Sequence, residues 1–146
     1  MARKLALLLM AAGIVSTGAA SPTPTSTRKG VYTDGQAEAG AQLYAVRCAM
    51  CHGKMLEGTF ETPGLQGKFI ANWSRAPLSD LYDYLGRAMP QFAPGSLTPD
   101  ENAKLIAFLL RANALPAGPA PLPASSAALQ HVILEPREIL AAAKAK

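Results

Sequence analysis

Two cysteines, two histidines and one tryptophan in 146 residues leave little chemistry to distribute. No dense Lys/Arg stripe is present, which argues against nucleic acid as a partner. No Gly-rich phosphate loop occurs, so nucleotide chemistry has no footing. No apolar run approaches the ~20 residues that a membrane-spanning helix needs. Neither an internal repeat nor a strand of consequence can be traced. Aromatic residues are scarce, with four Tyr and four Phe beside the single Trp. A chain of this length closes one modest core, and that core would gain from a large apolar cofactor.

What is present begins with an export signal. Arg3 and Lys4 make a basic start, Leu5 to Val15 is uncharged and apolar, and Gly18 and Ala20 stand at −3 and −1 of a cleavage site. That is the layout of a secretory signal peptide over residues 1–20, with a short uncleaved anchor as the alternative. Removing it takes away two positive charges and no acid, so the formal charge falls from +4 to +2. Much of the basicity therefore belongs to export, and the expected location is the periplasm.

Residues 21–32 read as a polar, Pro-rich and flexible lead. Thr33, with Gln36 three residues on, fits a capping box that opens a helix running to Cys48 through Ala37, Gly40 or Ala41, and Tyr44. Gly53, Gly58, Gly64 and Gly67 mark the stretch from His52 to Trp73 as loop. Leu78, Leu81, Tyr82 and Leu85 trace a second helix, which ends before Met89 because Pro90 disfavours helix in the residue before it. The third has Thr98 as N-cap, Pro99 at its first position, Glu101 closing the capping box, and Asn113 and Pro116 at its end. The domain expected is 33–114. Residues 115–146 read as a stiff spacer carrying Pro116, Pro119, Pro121 and Pro123, then an amphipathic stretch from Ser125 to about Leu140 broken by Pro136, and an Ala/Lys tail. The fold class is all-α: three core helices, long loops and an appended tail.

Cys48, Cys51 and His52 form C-x-x-C-H, a signal for covalent attachment of haem c. Two thiols three positions apart on one helical turn can add to the two vinyl groups along one porphyrin edge. The next residue then places its imidazole on the iron from the same side. A disulfide across so short a loop would staple little. A thioredoxin-like pair would need a preceding strand, and a zinc site would need further close ligands. With His52 so used and His131 isolated in the tail, no Ser-His-Asp triad can be assembled.

The sixth ligand must come from the opposite face of the ring. Met1 and Met10 lie in the signal and Met50 lies inside the attachment turn. Met55 is tethered to His52 by three residues, at most ~11 Å. Met89, in a Pro-bounded loop between two helices, has chain enough to reach and is the candidate; a gap-filling core methionine is the plain alternative, and His131 a remote one. His/Met ligation raises the reduction potential and leaves no open coordination site, which favours electron transfer.

From about Gly35 to Asn113 the chain resembles a class I (mitochondrial-type) cytochrome c. The resemblance rests on Cys48–His52, on Gly40 and Tyr44 before it, on Leu105 and Phe108 as the residues that cross the glycine, and on Met89–Pro90. Pro63 and Leu65 match a Pro-x-Leu element. The resemblance implies that the Pro63 carbonyl accepts the other imidazole N–H of His52, and that Trp73 lies at the buried haem edge as a donor to a propionate. The run from Thr62 to Leu97, with Leu115 to Gly118, is similar to bacterial cytochromes c found with periplasmic quinoprotein dehydrogenases. That narrower likeness implies redox protein partners, such a dehydrogenase and a terminal oxidase among them, and a tail wrapped on the haem domain.

The function expected is therefore a single-electron carrier rather than an enzyme, docking weakly at its exposed haem edge. Lys54 and Arg47 are candidate steering charges there. The runner-up is a haem enzyme or gas-binding cytochrome with an open distal site. A third reading makes the chain a fixed subunit of a dehydrogenase complex.

Overall fold

Thr33 opens the first helix as its spacing predicts: its hydroxyl accepts from Gln36 N at 3.2 Å, and α1 runs Asp34–Arg47. In the computed structural model, which describes residues 23–136, α1 is followed by α2 (Ala49–His52), α3 (Lys68–Asn72), α4 (Leu78–Ala88), α5 (Pro99–Ala112) and α6 (Ser126–Leu129). The signal segment 1–20 and the tail beyond Pro136 lie outside the described residues. The all-α expectation holds, with helices carrying the fold. The α5 capping box is complete: Thr98 accepts from Glu101 N, and the Glu101 carboxylate accepts from Thr98 N. The box foreseen at Thr33 is only half made, because the Gln36 side chain is used elsewhere.

The core sits where α1 crosses α5. A Cβ at Gly40 would collide with the Lys104 carbonyl and approach the Phe108 side chain, so only glycine admits this backbone contact. Tyr44 and Phe108 pack beside it with ring centroids 5.1 Å apart, and Leu105, Ile106 and Leu110 are buried under the crossing. α4 closes the core with Leu78, Leu81 and Leu85.

The lead differs from expectation, and the tail lies on the domain as the narrower resemblance implied rather than as a free spacer. Residues 23–32 are docked rather than free, and the Pro-rich spacer lies on the domain. β1 (Thr25–Ser26) pairs in parallel with β2 (Val132–Ile133). Thr27, fully buried, exchanges hydrogen bonds with Glu135 N and O, and Arg28 Nε donates to Pro136 O. Tyr32 OH donates to Leu115 O at 2.6 Å, and the Gln36 amide brackets Leu122, donating to its O and accepting from its N. Gly30 and Gly118 meet backbone to backbone. The expected amphipathic stretch after Ser125 is one turn, α6, and then β2. The physical reason is burial. Leu115, Leu122, Leu129 and Leu134 are each at most 3% exposed, and Pro116, Pro119, Pro121 and Pro123 keep the chain between them from becoming the helix their spacing would suit. Backbone groups the chain cannot pair locally are satisfied by the opposite terminus.

α3 lies within a segment read as loop, too short for a period to register. Its residue Ile70 is buried, and the tail holds the segment after it: Arg75 N donates to Leu134 O and Leu134 N to Ala76 O.

Candidate functional site

Helix α1 stops at Cys48, whose backbone (φ −129°, ψ −36°) leaves the helical path for one residue before α2 restarts. Cys51 N and His52 N both donate to Cys48 O, at 3.1 and 3.0 Å, so the two thiols and the imidazole belong to a single tight turn. Gly53, at φ 79°, ends it. Tyr44 OH donates to Gly53 O at 2.7 Å and ties the turn back to α1. Neither cysteine is in a disulfide; Cys48 is half-buried and Cys51 exposed. Burial pushes the Cys48 thiol up to about 11, against the opposing pull of the Arg47 guanidinium. It is therefore a neutral thiol at ordinary pH, and such a thiol carries both the sulfur and the hydrogen that addition to a vinyl group consumes.

His52 Nδ1 lies 2.9 Å from Pro63 O. A carbonyl can only accept, so the hydrogen resides on Nδ1 and the lone pair on Nε2 is left for a metal. The loop between them is held at several points. Gly58 N donates to His52 O at 2.8 Å, Leu65 N to Leu56 O at 2.8 Å, and Leu56 is buried. Asn113, at the end of α5, completes the arrangement: its Nδ2 donates to Leu65 O and Leu109 O, and its Oδ1 accepts from Gly67 N. Sequence reasoning saw Asn113 only as a helix terminator. Its amide reaches 46 and 48 residues back along the chain, and no local pattern carries that signal.

Met89 caps α4 in extended conformation, with its N–H on Leu85 O at 3.0 Å and a cis peptide to Pro90. It is half-buried, whereas Met50 and Met55 are 80% and 74% exposed. Trp73 is half-buried at the end of α3 and packs on Tyr84 of α4 at 5.4 Å. Its indole N–H makes no hydrogen bond to the described residues, so the donor is available. His131 is exposed at the start of the tail strand, where its carbonyl accepts from Thr25 N. The structure thus joins Cys48, Cys51, His52 and Pro63 through one turn and one hydrogen bond, and sets Met89 and Trp73 at the ends of two helices.

Arg47 is not the solvated steering charge its sequence position suggests. Its Nη2 donates to Ser96 Oγ at 3.0 Å and contacts Ser96 O at 3.4 Å, while its Nε is buried without a partner. Lys54 is exposed. Among the described residues no group of three or more His, Cys, Asp or Glu could hold a metal ion. None of the described helices is long and apolar enough to cross a membrane. The donor set on the attachment turn is two free thiols and one imidazole with its second nitrogen engaged. That set fits a covalently attached haem.

Residues 35–109 match the family model described as cytochrome C oxidase, cbb3-type, subunit III. Among solved structures, the chain is similar to one titled sulfane dehydrogenase SoxCD from Paracoccus pantotrophus, with 29% identity and a TM-score of 0.52. That match covers 73% of this chain, which spans 60% of the length of the matched chain. No curated protein matches.

Proposed function

This chain belongs to the cytochrome c family described as cytochrome C oxidase, cbb3-type, subunit III, and we propose that it is a periplasmic monohaem carrier of single electrons with iron held between His52 and Met89. Covalently bound haem c is the family's cofactor, and when bound it supplies a one-electron Fe(II)/Fe(III) couple. Cys48 and Cys51 hold it by thioethers, which makes loss of the cofactor a bond-breaking event. The Pro63 carbonyl fixes the His52 ring in one orientation and one tautomer. Met89 supplies a soft ligand that favours the reduced iron. The observation that carries this reading is the 2.9 Å contact of His52 Nδ1 with Pro63 O, on the same turn as two free thiols.

Met50, Met55, Phe60 and Phe92 are exposed on the attachment turn and the two loops beside it. They suit a brief apolar contact with a redox partner. The similar structure is a dehydrogenase by its title. We place a dehydrogenase, a periplasmic quinoprotein enzyme by the sequence resemblance, as donor and a terminal oxidase as acceptor. The cleaved signal over residues 1–20 accounts for export.

Optical spectra test the ligation. Oxidised wild type is expected to show the weak long-wavelength sulfur–iron band, and its reduced form to resist carbon monoxide. Met89→Ala is expected to keep its haem, lose the band, bind carbon monoxide and fall in potential by on the order of a hundred millivolts or more. A wild type that lacks the band and binds carbon monoxide at once sinks the carrier and promotes an enzyme or gas-binding cytochrome.

A further inference from the structure

The geometry points to Arg47 as a positioning residue: it braces the Met89 loop against the haem-attachment turn and so keeps the distal ligand in place. This rests on the His52/Met89 reading above.

Arg47 is the last residue of α1 and directly precedes Cys48. The loop it touches, 90–97, has two ends fixed by helices. Met89 N is held by Leu85 O of α4, and Thr98 is held in the α5 capping box. Between those ends the loop is built from two linked turns: Ala93 N donates to Pro90 O at 2.9 Å, and Ser96 N to Ala93 O at 3.3 Å. Phe92 and Pro94 to Ser96 are exposed. Among the described residues, the only side chain from outside the loop that hydrogen-bonds to it is Arg47, through Ser96 Oγ and Ser96 O. Displacing Ser96 loosens the two turns that lead back to Pro90, the residue after Met89. A single arginine thus connects the turn that binds haem covalently to the loop that offers its distal ligand.

Two further observations fit this role. The Arg47 Nε is buried with no partner, a cost that solvation would remove if the side chain were free to swing out. The guanidinium also belongs to the residue directly before Cys48, so it carries its positive charge beside the attachment turn. A fixed cation there favours Fe(II) over Fe(III) and raises the potential.

The test uses full-length holoprotein and four variants. Arg47→Gln is expected to retain haem through denaturing electrophoresis, to weaken the sulfur–iron band, and to take up carbon monoxide in the reduced form about tenfold faster, the equivalent of one lost hydrogen bond. Its potential should fall. Arg47→Lys keeps the charge and loses the two-point contact, so its potential should stay near wild type while carbon monoxide uptake rises. Ser96→Ala removes the Oγ acceptor from the other side and should shift uptake in the same direction, which decides the matter if Arg47→Gln does not mature. Arg111→Gln, which removes the pair with Glu38 and the contacts of the guanidinium with Ala37 O and the Phe108 ring at the α1–α5 crossing, tests for general loss of stability and should leave uptake and potential unchanged. A wild type with the band, together with Arg47→Gln and Ser96→Ala proteins as slow toward carbon monoxide as wild type, overturns the brace and leaves Met89 ligation standing. Equal acceleration in Arg111→Gln reduces the effect to general loss of stability and also overturns it. A wild type without the band removes the ligation and the brace together.

Discussion

Asn113 shows how much one side chain can hold at the residue scale. Two of its three hydrogen bonds fasten the loop that follows Pro63 to the end of α5, and the third holds its side chain to Leu109 O of α5; Pro63 in turn orients His52. Asn113→Ala deletes all three while leaving Leu65 O and Gly67 N without partners. A loss of roughly 2 kcal/mol is expected, given about 1 kcal/mol per bond and partial access of water. Denaturant titration of the holoprotein measures it, and an unchanged midpoint would remove Asn113 from the account. Cys48, Cys51 and His52 could be assigned from spacing alone because their chemistry is local to one turn. The contact of Pro63 with His52 was implied only by resemblance, since eleven residues of glycine-rich loop separate them. Arg47 was misjudged for a related reason: a basic residue beside an exposed motif looks solvated until the loop it bonds is folded over it.

Elements explain why this turn is rigid. α1 can carry it only because α1 lies directly on α5, and that approach depends on Gly40. Gly40→Ala puts a methyl into the Lys104 carbonyl, where backbone rather than a pliant side chain must yield. A destabilisation of about 1–3 kcal/mol is expected, opposite in sign to the gain alanine gives in an open helix. A more stable Gly40→Ala protein in thermal melts would contradict the crossing described here. The tail is the second such element. Leu134 is 1% exposed, and its backbone bonds Arg75 and Ala76 just after Trp73. Leu134→Ala is expected to cost roughly 2–5 kcal/mol and to raise hydrogen exchange at Arg75 N together with the 25–30 segment, because lead and tail form one clasp. Exchange confined to the tail would show that the lead docks by itself. The helices α1, α4 and α5 were legible from periodicity and caps. The pairing of lead with tail was not, because prolines interrupt the helix that the seven-residue spacing of Leu115, Leu122 and Leu129 would suit and the paired strands are two residues each.

For the whole molecule, the decisive fact is how few large aromatic side chains the chain owns. Its core is closed by α1, α4, α5 and leucines from the tail, and the haem contributes apolar area and a covalent link that no side chain replaces. Cys48→Ser combined with Cys51→Ser is therefore expected to give a chain that loses haem on denaturing electrophoresis and shows no cooperative melt, because the cofactor is a ligand of the native state alone. Haem retained through electrophoresis would refute the thioether assignment, and a sharp haem-free melt would refute the dependence of the core on it. The sequence by itself determined the attachment turn and the three principal helices, because each rests on spacing within a turn or on a cap. Only the tertiary structure decided that residues 25–32 close on residues 115–136, that Gln36 abandons its capping box to hold Leu122, and that Arg47 and Asn113 hydrogen-bond to loops far along the chain. Those contacts join residues some 46 to 109 positions apart. Such partners are distant in the chain, so which groups meet is fixed only when the core closes.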